Sequence, residues 1–140
     1  MSDAKTTKVA PPSDIKFHQK SQTLEVCFDN KTFTLPAEYL RVYSPSAEVR
    51  GHGGGPLKLV TGKKQIRIIN LKPVGHYALQ ITYDDGHDSG LYTWATLYEL
   101  GSQQQQLWQS YLDRLEQEGG RRDNTPGEDL KPAVNFKKVT

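Results

Sequence analysis

The sequence predicts an α+β fold: a small antiparallel sheet built from two hairpin-linked groups, covered by short helices and flanked by disordered tails. Three observations carry this. Apolar residues alternate in short runs joined by Asp, Asn and Gly turns, as in Leu24, Val26 and Phe28 or Leu79, Ile81 and Tyr83. That is the period of half-buried strands. After Gly90 the period lengthens to three or four, with Leu91, Trp94, Leu97, Tyr98 and Leu100, then Leu107, Trp108, Tyr111, Leu112 and Leu115. That is the period of helices with one apolar side. Both ends of the chain lack either pattern.

Length and composition bound the class. The 140 residues are 35% hydrophobic, with a mean hydropathy of −0.69. One modest core fits that length, and the expected division is a lead over 1–14, one domain over 15–118 and a tail over 119–140. No apolar run is long enough to span a bilayer, and the first residues hold no apolar signal segment. The single cysteine, Cys27, permits no internal disulfide. The expectation is a cytoplasmic protein with no membrane partner.

Taken in order, residues 15–20, 23–28 and 32–35 form a meander of three strands, with Cys27 on the face opposite Leu24, Val26 and Phe28. Pro36 opens a short helix, where a missing N–H does no harm, and Tyr39, Leu40 and Tyr43 face the sheet. Residues 44–56 are irregular and end in Arg50-Gly-His-Gly-Gly-Gly-Pro56. Neither phosphate motif fits there: Gly62-Lys63 is followed by Lys64 and a strand, and Gly51-x-Gly53 runs into Pro56. Residues 65–71 and 77–83 make the second hairpin across Lys72-Pro-Val-Gly75. Asp84-Asp-Gly86 then turns the chain, because Asp and Gly tolerate a positive φ. Thr93 caps a helix that Gly101 stops, and Ser102 with Gln105 forms a capping box for the next, which ends at Gly119.

Charge is uneven. Residues 41–72 hold seven bases and one acid, Glu48, while residues 84–118 hold seven acids and one base, Arg114. Two oppositely charged faces would favour oriented docking on a partner. Two helices joined at Gly101 suggest a helix-turn-helix, but the second carries Asp113, Glu116 and Glu118, so nucleic acid is an unlikely partner.

The four histidines, His18, His52, His76 and His87, lack the spacings of a zinc helix or an iron facial triad, and there is no Cys-x-x-Cys pair. His87, between Gly86 and Asp88, is read either as a turn histidine or as a metal ligand.

Tyr39-Leu-Arg-Val-Tyr-Ser-Pro-Ser-Ala-Glu-Val-Arg-Gly-His, Pro73-Val-Gly and Tyr83-Asp-Asp-Gly-His-Asp-Ser-Gly-Leu-Tyr-Thr-Trp together resemble one family. It is the gamma-butyrobetaine hydroxylase-like N-terminal domain, in its stand-alone bacterial form, and the resemblance covers about residues 13–101. In the carnitine-biosynthesis dioxygenases this domain precedes the catalytic one and holds zinc with three cysteines and a later histidine. The resemblance places those cysteines at Ser44, Ser46 and Val49 and the histidine at His87. Serine and valine cannot replace thiolates at the roughly 2.0–2.3 Å that zinc requires, so the resemblance implies a lost zinc site. The domain also resembles one fused to P-loop ATPases of iron–sulfur cluster assembly, which implies docking rather than catalysis.

Two functions follow as expectations. The first is a non-catalytic module that binds another protein through Arg41, Tyr43, Arg50, His52, His87, Asp88 and Tyr92. The alternative is weak binding of zinc or iron by His52, His87 and Asp88. A complete dioxygenase is not expected, since no facial triad is present.

Overall fold

A computed structural model of the chain describes residues 9–29, 31–45, 59–88 and 90–123. Strands β1 (Asp14–His18), β2 (Thr23–Phe28) and β3 (Lys31–Pro36) form one antiparallel sheet with β2 in the centre. Val26 faces Ile15 on one side and Phe33 on the other. Helix α1 (Ala37–Val42) follows at once, and all six of its residues are buried. Strands β4 (Ile68–Val74), β5 (Ala78–Tyr83) and β6 (Leu91–Thr93) form a second antiparallel sheet with β5 in the centre. Helices α2 (Trp94–Ser102) and α3 (Gln104–Glu118) complete the described elements.

The α+β class expected from the two periodicities is the one found. The inner faces of the sheets, Leu24, Val26, Phe28 and Leu35 from the first and Leu79, Ile81, Tyr83 and Tyr92 from the second, share one core with Tyr39 and Leu40 of α1 and Leu97 and Leu100 of α2. Gln22 ties the sheets together. Its carbonyl accepts from Ala37 N–H at 2.9 Å and its side-chain oxygen from Ile68 N–H at 2.8 Å. A non-glycine φ of 55° at Gln22 is the local cost of serving both.

Several boundaries differ from the sequence reading, each for a physical reason. Residues 72–74 belong to β4, and the turn is 75–77, where Gly75 takes a φ of 58°. Tyr77, expected inside the strand, lies in that turn with 56% of its surface exposed. Leu91 is not helical. It pairs with Gln80 as part of β6, a strand too short for its period to register. Thr93 does cap α2, accepting Thr96 N–H at 3.1 Å. That helix runs through Gly101 to Ser102. Ser102 therefore caps nothing ahead of it and donates back to Glu99 O at 3.3 Å, while α3 starts from Gln103 without a side-chain cap. Gly119 ends α3 at a φ of 70°, as expected.

Described contacts also extend outside residues 15–118 at both ends. Val9 packs on the core and Ser13 N–H reaches Cys27 O at 2.7 Å. After α3, Gly62 N–H donates to Arg121 O at 2.7 Å and Lys64 N–H to Arg122 O at 2.9 Å, so residues 120–123 strap the loop before β4. Among the described residues no helix is long and apolar enough to cross a membrane.

Candidate functional site

The site lies where α1 ends and the β5–β6 turn begins. The turn is built by its own backbone and one carboxylate. Gly86 N–H donates to Tyr83 O and Tyr83 N–H to His87 O, both at 3.0 Å, and His87 N–H donates to Asp85 Oδ1 at 3.0 Å. A φ of 88° at Gly86 lets the chain double back tightly enough to bring His87 inward. Only 7% of His87 is exposed.

Facing it is Ser44, the first buried residue after α1. Ser44 Oγ and His87 Nε2 share a hydrogen bond of 2.9 Å. Gly90 is what permits this approach, because a Cβ there would collide with Ser44 Oγ. Deeper in, Tyr92 OH donates to Leu40 O at 2.6 Å. A phenol has one proton, so in the 2.8 Å bond between Tyr83 OH and Tyr92 OH it is Tyr83 that donates. Burial pushes both phenols up, Tyr92 to about 12, despite opposing hydrogen bonds from Tyr83 and Ser44 at Tyr92.

The electrostatic half of the site is one carboxylate and two cations. Asp85 Oδ2 accepts from Arg41 Nε at 3.0 Å and from Lys63 Nζ at 2.7 Å. Arg41 also lies over the Tyr83 ring, 5.9 Å from its centroid. Its side chain is 8% exposed, and its Nη1 has no hydrogen-bond partner among the described residues. Burial acts to raise the Asp85 carboxyl. Hydrogen bonds from Lys63, His87 N–H and Arg41, with the charge of Arg41, outweigh it and hold the group at about 2. Here one residue of the acidic run, Asp85, is paired with two of the basic run, Arg41 and Lys63.

Of the residues expected at a contact surface, the structure brings Arg41, His87 and Tyr92 together, but inside. Tyr92 is fully buried, so the amphipathic area expected from it is not available to a partner. Tyr43 is half-buried and donates its hydroxyl to Leu107 O at 2.8 Å. Asp88 is exposed, and its backbone carbonyl accepts from Gln80 Nε2 at 2.8 Å. Arg50, His52, Ser46 and Val49 lie outside the described residues.

The donor set does not fit zinc. Ser44 stands where the first thiolate would, and the His87 nitrogen that faces it is engaged by that hydroxyl. Among the described residues no three His, Cys, Asp or Glu side chains converge. The sequence alone does not mark Asp85, Lys63 and Tyr83 as a site. The Asp-Asp-Gly turn was the available signal, since a turn aspartate bonds an N–H two residues on.

Converting Tyr92 to phenylalanine removes the proton its hydroxyl donates to Leu40 O and the acceptor of Tyr83 OH. The expected loss is about 1–2 kcal/mol of stability, read by urea unfolding. A variant equal to the parent would mean that water replaces the hydroxyl.

These features define an α+β domain whose polar centre is a closed hydrogen-bonded knot. The chain belongs to the gamma-butyrobetaine hydroxylase-like N-terminal domain family, whose model matches residues 15–98. Two NMR solution structures are similar to it, with TM-scores of 0.74 and 0.73 and identities of 44% and 45%. The first match covers 90% of this chain and 99% of the other, the second 93% and 95%. A crystal structure of a protein of unknown function of the DUF971 family from Acidithiobacillus ferrooxidans is 35% identical, with a TM-score of 0.54 over 69% of this chain and 94% of that one. No curated protein matches the sequence.

Proposed function

We propose that this domain is a non-catalytic module that binds another protein, in the service of metalloenzyme or iron–sulfur assembly. The observation that supports it most is the state of the polar groups at the family's metal position. Ser44, His87, Tyr83, Tyr92 and Asp85 are hydrogen-bonded to one another or to backbone, which leaves them holding two chain segments rather than poised for chemistry. The same bonds bring Pro45, Gly90 and the 84–88 turn together. That region, with the exposed Asp88 and the half-buried Tyr43, is the contact surface we assign, and Arg50 and His52 join it on the sequence reading. The assembly context rests on the company the family keeps.

Metal binding by His52, His87 and Asp88 has no comparable support, because an ion at His87 Nε2 would first have to displace a fully buried serine. A photo-reactive amino acid at position 88 is expected to give a discrete heavier adduct in cells, and one at position 113 on α3 is not. Adducts from 113 alone would move the surface elsewhere. Turnover of 2-oxoglutarate by the purified chain would end the non-catalytic reading.

A further inference from the structure

Away from this knot, α1 carries a second buried charge. The Glu38 side chain is 8% exposed, and Arg122 meets it with two parallel hydrogen bonds, Nε to Oε2 at 2.9 Å and Nη2 to Oε1 at 2.8 Å. The same guanidinium lies over the Trp108 ring, 5.2 Å from its centroid. Beside it a groove of about 670 Å³ runs along Gly101, Ser102, Gln104 and Gln105.

A carboxylate that accepts both arms of a planar fork, set next to an aromatic face, is selective for a guanidinium over an ammonium. Glu38 and Trp108 stand on helices. Arg122 comes from the short strap after α3, attached through Gly119 and Gly120. Nothing in the recognition chemistry requires the guanidinium to belong to this chain. We propose that Glu38 and Trp108 form an arginine-binding site, filled in cis by Arg122, whose other occupant is an arginine side chain of a partner polypeptide lying in the adjoining groove. The proposal rests on the reading of the domain as a protein-binding module and names a second contact of that module.

Arg122 is tethered, so it competes at an effective concentration in the millimolar range. A lone arginine cannot displace it. A partner that also fills the groove can, since the amide and hydroxyl groups of Ser102, Gln104 and Gln105 offer hydrogen bonds to an extended backbone.

The test is a titration of the full chain carrying Arg122→Ala with N-acetyl-arginine methylamide, read at the indole N–H signals by NMR. Trp94 is an internal control, because its Nε1 donates to His76 O, away from the groove. The expected result is a saturable shift of Trp108 at millimolar ligand with Trp94 still. The unsubstituted chain should show no such shift over the same range, because the tethered Arg122 holds the site. Adding Glu38→Gln should abolish the response, and the lysine analogue should bind at least several-fold more weakly. Should Arg122→Ala not fold, Arg122→Lys keeps the charge without the fork and serves in its place. An absent shift, or equal response to the lysine analogue, would overturn the site. Either failure leaves adducts from position 88 unaffected, so the two readings fall separately.

Discussion

Replacing Asp85 by alanine is expected to destabilise the domain by about 3 kcal/mol, seen as a fall of roughly 10–20 °C in Tm. The carboxylate makes three contacts that nothing else replaces: Arg41 Nε, Lys63 Nζ and His87 N–H. Lys63 can turn to water, since its side chain is 21% exposed. Arg41 cannot. Its guanidinium would remain buried over the Tyr83 face, with one nitrogen that has no hydrogen-bond partner among the described residues, and a buried charge without its counter-ion is among the costliest defects a fold can carry.

The same residue sets an acid limit. Its carboxyl is depressed from an ordinary 3.8 to about 2 in the folded state. The folded state therefore binds the proton less readily than the unfolded one. The stabilisation is complete above about pH 4 and is lost as pH falls through about 2. The shift alone would correspond to about 2.5 kcal/mol, which solvent screening of this partly exposed group reduces to about 1–2 kcal/mol. Asp85→Asn retains one acceptor for His87 N–H and so should be milder than alanine at neutral pH, yet flatten the acid dependence. Unfolding by urea across that range separates the two effects. A parent protein whose stability did not change between about pH 4 and 2 would contradict the assignment.

The second large effect is expected at Gly101. Helix propensity alone says that alanine in α2 should add about 1 kcal/mol. Packing says the reverse and wins, because a Cβ at Gly101 would fall into the Phe33 ring of β3. Phe33 has little freedom to move aside, since its ring meets Phe28 at 6.1 Å and Tyr98 at 5.4 Å between centroids. Gly101→Ala should therefore lose about 2 kcal/mol net. Combining it with Phe33→Ala should cost less than the sum of the two single changes, because the collision is then gone. A more stable Gly101→Ala protein would show that α2 can shift off the sheet.

Gly101 also illustrates how far local sequence reasoning carries. A glycine after an apolar helical run looks like a stop signal, and Gly119 is one, with its left-handed φ. Gly101 is a close-contact position instead, and the difference lies in Phe33, sixty-eight residues earlier in the chain. Ser102 misleads for the same reason: once α2 continues, the serine is at its end and bonds Glu99 O. Strand β6 is not legible in the sequence because three residues hold too little period to register, although it pairs with β5 and carries the buried Tyr92.

The candidate site divides along the same line. His87 was legible as a turn residue, because Asp, Gly and His in that order describe a reversal whose aspartate bonds the chain two residues on. Its partner Ser44 was legible only through the family's metal pattern. The buried Arg41 was expected at a surface, since a guanidinium is usually solvated unless a carboxylate neutralises it. Asp85, forty-four residues away in the sequence, does that.

By itself, then, the sequence determined the class of fold, the meander, the second hairpin and the two apolar helices. Periodicity and turn chemistry are properties of neighbouring residues, and they survive in any context that buries the apolar side. Tertiary structure alone decided which polar side chains are inside. Ser44 with His87, Arg41 with Asp85, and Glu38 with Arg122 are each separated by more than forty residues. A charge or hydroxyl is buried or solvated according to the partner that folding delivers to it, and no local pattern records that partner.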